Sequence, residues 1–276
     1  MHGSCCTGAW KPDVRTGWSE HWQATAAPGL PSLQTQKAWL QAENITDWEP
    51  VNLAQPQSEE VVISVTATVD NLLVKEATGE GVGEAGVRAR QMRQGKLPIV
   101  PGSSIKGVLR GQINRTVRCF AGVATTVVDE FLGRGAQNGD NGIAGKARFS
   151  DAIIQNSKIV VTSRNRIDRI TGGTMDGALF SEETVAGNLS FEIRAPKYHP
   201  VGLSLLLFAL RDMGLGLCDL GSGSNIGRGR VDHLQVEIRC ADRFACLSCA
   251  DGTVSVTDND GLIASWNRAL KEGGCQ

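Results

Sequence analysis

An α+β fold is what this sequence predicts, and three observations predict it. Strict two-residue alternation of apolar residues at 61–69, 189–193 and 234–238 reads as half-buried strand. Two stretches of helical character stand between them, one with a polar face and one apolar nearly all round. Glycine makes up 33 of the 276 residues, above the usual ~7% share, which predicts many tight turns and close backbone approaches. A hydrophobic content of 41% suffices for a core, and the net charge is only -1.

Residues 1–60 differ in composition from the rest. Trp10, Trp18, Trp22, Trp39 and Trp48 lie there with Pro12, Pro28, Pro31, Pro50 and Pro56, and only 33–43 suggests a short helix. Such sequence folds poorly alone, so it reads as an arm docking on this chain or another, or as a mobile extension. The first strand follows at 61–69, then a glycine-rich loop at 78–86.

The next segment is Leu97-Pro98-Ile99-Val100-Pro101-Gly102-Ser103-Ser104-Ile105-Lys106-Gly107-Val108-Leu109-Arg110. Two prolines hold its start extended, Gly102 allows a corner, and Ser103 or Ser104 can cap the helix that follows. An anion can sit at that corner. Ile105, Val108, Leu109, Ile113 and Val117 recur at helical spacing toward a core, while Lys106, Arg110, Asn114 and Arg118 form a polar, basic stripe. From Ala85 to Val128 there is no acidic residue but eight basic ones, a sharply local positive field. The stripe is either a solvated helix face or a track for a polyanion.

Loop sequence at 133–145 leads to strands at 147–154 and 157–162. Ser163-Arg164-Asn165-Arg166-Ile167-Asp168-Arg169-Ile170-Thr171-Gly172-Gly173-Thr174 then suggests a projecting hairpin. After the strand at 189–193, Pro200 starts a buried helix through Leu210. The glycine run at 214–230 ends Asn225-Ile226-Gly227-Arg228-Gly229-Arg230 and is long for a simple connection. Its backbone N–H groups, with Arg228 and Arg230, suit a concave anion site beside the helix stripe. The last strand covers 234–238, and Asp260 is the expected cap of a closing helix carrying Leu262, Ile263, Trp266 and Leu270. Strand, helix, strand, excursion, strand, helix, glycine loop, strand is the split βαβ of a ferredoxin-like fold.

The phosphate-loop spacing Gly-x4-Gly-Lys-Ser/Thr is absent, and the glycine run precedes a strand rather than a helix, against a dinucleotide site. No apolar run approaches the ~18 residues of a membrane span, and Met1-His2-Gly3-Ser4-Cys5-Cys6 is no secretory signal, so a cytoplasmic protein without membrane partners is expected. Of eight cysteines, Cys240, Cys246 and Cys249 have ligand-like spacing, with His233 or Cys275 available to complete a zinc site; ordinary buried thiols are the competing reading.

Pro101 to Arg110, Asn165-Arg166-Ile167-Asp168-Arg169 with Gly172-Gly173, and Gly221-Ser222-Gly223-Ser224-Asn225-Ile226-Gly227-Arg228-Gly229-Arg230-Val231 together resemble the RAMP superfamily. More narrowly they resemble the backbone subunits of type III CRISPR effector complexes, over about residues 61–240. The resemblance implies a modified RNA-recognition-motif core with a thumb at about 163–183; residues 241–276 lie outside it and read as an extension with a short helix. The resemblance also implies copies of the chain stacked along a CRISPR guide RNA with other effector subunits, presenting the guide to complementary target RNA. Ser103, Ser104, Lys106, Arg110, Arg164, Arg166, Arg169, Gly227, Arg228 and Arg230 are the expected RNA contacts. Sheet aromatics for base stacking are nearly absent, Phe191 being the one candidate.

In subunits of this family that cut target RNA, an aspartate in the loop before the first helix carries the activity. Here no aspartate lies between Asn71 and Val128, and Glu84, or less well Glu80, is the candidate carboxylate for a divalent metal. A non-cleaving subunit is therefore expected, of a type III-D-like or type VII assembly. A metal-dependent target-RNA endoribonuclease and a standalone guide-precursor-processing endoribonuclease are the alternatives.

Overall fold

The computed structural model describes residues 60–76, 87–120, 125–136, 141–175 and 179–273. The tryptophan-bearing arm with its helix at 33–43, the loop carrying Glu80 and Glu84, and Cys275 lie outside the described residues. In chain order the elements are β1 (Glu60–Leu72), β2 (Val87–Ala89), β3 (Arg93–Gln94), β4 (Leu97–Val100), α1 (Gly102–Val117), α2 (Thr125–Leu132), β5 (Arg148–Phe149), β6 (Ala152–Arg164), β7 (Phe180–Pro196), α3 (Pro200–Gly214), β8 (Arg230–Cys240), β9 (Arg243–Ala250), β10 (Thr253–Thr257) and α4 (Leu262–Gly273).

The sheet runs β10-β9-β8-β1-β7-β6-β4-β3. Its central four strands, β8-β1-β7-β6, are the fourth, first, third and second of the split βαβ, all antiparallel to their neighbours. The fold is α+β and ferredoxin-like, as the order of elements predicts. Alternation does the work in β1: Val61, Ile63, Val65, Ala67 and Val69 are all buried, and a one-residue slip would turn that row to solvent. Against this face pack Ile105, Leu109, Ile113 and Val117 of α1 and the apolar body of α3, each fully buried leucine or isoleucine contributing roughly 1.5–3 kcal/mol. Val108 sits at the margin of that core, half-buried.

Four features depart from the sequence reading. β6 and β7 are continuous strands that leave the core as a two-stranded ribbon, paired from Lys158 opposite Ala186 to Arg164 opposite Phe180, so the projection begins before residue 163. The sheet continues after residue 240 with β9 and β10, and α4 packs on α3, where Ser204 and Asn267 share a 2.7 Å hydrogen bond. Asp258 rather than Asp260 caps α4, its carboxylate accepting from the N–H groups of Leu262 at 2.6 Å and Ala264 at 2.9 Å. Asp260 accepts instead from the Phe244 N–H, at 3.1 Å. β10 is the last strand on its side, and all five of its residues, Thr253 to Thr257, are exposed.

The link from β1 to β4 is fixed by Gln91, whose side chain is wholly buried. Its Oε1 accepts from the Val74 N–H at 2.8 Å and its Nε2 donates to the Ile99 carbonyl at 2.8 Å. Buried backbone groups that cannot reach a strand partner thus find one in a side-chain amide.

Candidate nucleic-acid interface

The sequence-predicted site residues fall into two clusters. The first is built on α1. A Cβ at position 102 would run into the carbonyl oxygens of Phe149 and Ser150, so the corner requires glycine. Neither Ser103 nor Ser104 caps the helix: Pro101 holds the cap position, and the Gly102 N–H donates to Asp151 Oδ1 at 2.8 Å. The anion seat expected at this corner is filled by the chain's own carboxylate. Asp151 is 49 positions away in sequence, and the pairing of Val100 with Ala152 brings it there. Ser103 is exposed beside it and Ser104 half-buried.

One turn further, Lys106 and Arg110 line an open cavity of about 550 Å³ together with Gly133, Arg134 and Gly145. The spacing of four predicted that the two cations share a face. Arg110 is committed within the fold: it donates to the Gly133 carbonyl and stands 3.5 Å from Asp129, which also lies 3.8 Å from Arg134. Lys106 has no carboxylate partner among the described residues. Burial first, and the neighbouring Arg110 second, pull its pKa below the usual lysine value. A negative charge placed beside Lys106 would favour its ammonium form against both effects.

The second cluster joins the ribbon to the glycine loop. Glu182 and Glu183 are consecutive on β7 and so point to opposite faces. Glu183 pairs with Arg93 at 2.5 Å on one side. On the other, Glu182 Oε2 lies 2.7 Å from Arg228 and 3.6 Å from Arg164. Arg228 is 2% exposed, and neither its Nε nor the nitrogen nearest Glu182 makes an aligned hydrogen bond; Arg164 Nε makes none either. The expectation that Arg228 reaches an RNA phosphate at the surface is thereby corrected. Folding buries its guanidinium under the loop, where it anchors the ribbon. Arg230 remains outside, its side chain 66% exposed and 2.9 Å from Asp232.

The loop has its own constraint. Gly229 has φ +75°, and a Cβ there would collide with the Leu220 carbonyl. Leu220 in turn donates to the Gly229 carbonyl at 2.8 Å, while Gly227 is exposed with φ +76°. The loop's hydrogen bonds run to Leu73 and its ion pair to Glu182; α1 packs on α2, α3 and β5.

At the ribbon's tip Asp168 accepts from the N–H groups of Ile170 at 2.8 Å and Thr171 at 2.9 Å. These bonds, Thr171 first, hold its carboxyl below the ordinary aspartate pKa. The turn so formed presents Ile170, 95% exposed, next in sequence to the exposed Arg169, with Ile167 and Arg166 exposed in the segment that leads into it. Asp168 acts structurally here, a role its place before Gly172-Gly173 could have signalled.

Two further expectations change with the coordinates. Phe191 is buried among the core residues and offers no face to a base. Cys246 and Cys249 are three apart on β9 and so face opposite sides of the sheet, Cys249 buried with Ala245 and Leu247. The three candidate thiols do not converge, and no group of three metal-ligating side chains occurs among the described residues. Asp151, Glu182, Asp129 and Arg134 are the site residues that sequence reasoning missed.

The RAMP superfamily model matches residues 77–232. No curated protein sequence matches the chain. Among solved structures the chain is similar to one chain of the cryo-EM structure of the type III-B Cmr-beta bound to cognate target RNA. The TM-score is 0.49 and the identity 14%, over 62% of this chain and 95% of that one.

Proposed function

This chain belongs to the RAMP superfamily, and on that premise we propose that it is a CRISPR guide-RNA-holding subunit of a type III or type VII effector. In this reading it stacks with copies of itself and other subunits along the guide, and it does not cut the target. The observation that carries the reading is the ribbon: β6 and β7 rise from a buried sheet to a tip that exposes two isoleucines, Ile167 and Ile170, together with Arg166 and Arg169. An apolar tip flanked by cations suits insertion between bases beside a phosphate backbone, and a clamped base gives it a fixed angle. The cavity at Lys106 supplies a second phosphate contact, and Arg230, close in sequence to the exposed Gly227, a third. Base pairing would supply the sequence specificity, the protein shape and charge.

The test is to co-purify the chain with its neighbouring gene products and a CRISPR array, then sequence the bound RNA. Discrete species that begin in a repeat and run into a spacer are expected. Lys106→Glu combined with Arg166→Glu and Arg169→Glu should abolish their retention without lowering the melting temperature; Arg110 is left intact because it holds the Gly133 carbonyl. Retention of random RNA, or of none, by the unaltered chain overturns the reading. Complementary RNA should stay intact with magnesium or manganese present. Cleavage at regular intervals, lost in Glu84→Gln, would identify the endoribonuclease alternative instead.

A further inference from the structure

We infer that Tyr198 is a stacking platform for an unpaired RNA base, continuous with the basic cavity on α1; the inference rests on the RNA-holding reading above. Tyr198 is the only tyrosine of the chain and is 62% exposed, in the turn between β7 and α3. That turn is pinned at both ends: the His199 N–H donates to the Pro196 carbonyl at 3.3 Å, and the His199 carbonyl accepts from Leu203 at 3.0 Å.

The ring is supported by neighbours. His199 packs on it with centroids 4.9 Å apart, and Lys146 Nζ lies 5.4 Å from its centroid. Lys146 and His199 hold each other, Nζ to Nε2 at 3.0 Å, and His199 rests in turn against Phe131. A lysine ammonium beside Nε2 requires that nitrogen to accept, so the imidazole is neutral there. Burial first and Lys146 second keep it so by lowering its pKa, against the opposing pull of Glu130. The cluster therefore presents one positive charge beside a largely exposed aromatic ring that its neighbours hold in place.

Its place favours RNA over a protein partner. Gly145 lines the cavity of Lys106 and Arg110, and Lys146 is the next residue; Phe131, which supports His199, directly precedes the cavity residues Leu132 and Gly133. A strand with a phosphate at Lys106 meets the ammonium of Lys146 and the ring of Tyr198 on leaving the cavity. Cations ahead of an exposed aromatic ring are the elements of single-strand binding, and any base has a face to stack.

The probe is single-stranded RNA carrying 5-iodouridine, irradiated with the purified full-length chain and followed by mass spectrometry of the adducted peptides. An adduct on Tyr198 is expected. Tyr198→Ala should weaken binding of the same RNA about tenfold, and Tyr198→Phe should restore it, with melting temperatures unchanged in both. Normal RNA binding by the unaltered chain with no adduct at Tyr198 and no loss in Tyr198→Ala overturns the platform and leaves the RNA-holding reading standing. A loss in Tyr198→Ala accompanied by a fall in melting temperature and not restored by phenylalanine also overturns it, as the mark of a structural turn residue. Absence of RNA binding by the unaltered chain overturns both.

Discussion

Glu182 holds two guanidinium groups, one of them buried, and that ratio sets what each substitution does. Removing the carboxylate leaves Arg228 charged and unpaired inside the fold. Glu182→Ala should therefore lower stability by about 3 kcal/mol in urea unfolding, whereas Arg228→Met, which removes the buried charge and leaves Glu182 beside Arg164, should cost less. The cysteines give a second residue-scale test. Burial first, and Asp212 second, push the Cys218 thiol up to about 11, whereas Cys119 is exposed. Between about pH 9 and 11 the unfolded chain ionises at Cys218 and the folded chain does not, so that group's contribution to stability falls as pH rises. Iodoacetamide at pH 8 should alkylate Cys119 well before Cys218, read by peptide mass; equal rates would mean the site under α3 opens readily.

At the scale of elements, what was legible in the sequence was whatever is periodic. Alternation located β1, β7 and β8, and the spacing of Ile105, Leu109 and Ile113 located α1, because each rests on neighbours within a few residues. Contacts spanning the chain were not legible. Nothing near Gly102 announces Asp151, and nothing near Arg228 announces Glu182; strand pairing creates both. This changes how the ribbon should be cut. Excision from 169 to 182 would also remove the carboxylate that holds Arg228, whereas replacing 168–173 with Asn-Gly keeps the clamp and the Ile167–Thr174 pairing. The shorter variant should melt within a few degrees of the parent. Gln91→Leu should instead cost about 1–3 kcal/mol, because it orphans the buried Val74 N–H and Ile99 carbonyl.

Over the whole molecule, the 4-1-3-2 order was readable because it follows from the order of elements alone, while the extent of the sheet was not. Residues 243–257 alternate too weakly to advertise a hairpin: β10 is exposed on both faces and β9 buries only Ala245, Leu247 and Cys249. Yet α4 covers α3 with Leu262, Ile263, Trp266 and Leu270, all buried. A chain ended after Cys240 should expose that surface and lose its cooperative melt. Contact of the two basic clusters with RNA also has a readable signature. If both meet one RNA, the binding constant should fall steeply with salt, and Lys106→Glu should make the slope shallower by about one unit.

The outer strand carries a cost of its own. Thr253-Val254-Ser255-Val256-Thr257 bears no lysine, no proline and no charge, yet its outward row of backbone donors and acceptors has no described strand beside it. Such a margin templates further strands, and concentrated samples should gather edge to edge into growing ribbons. Ser255→Lys would set a like charge on each margin and keep the solution clear.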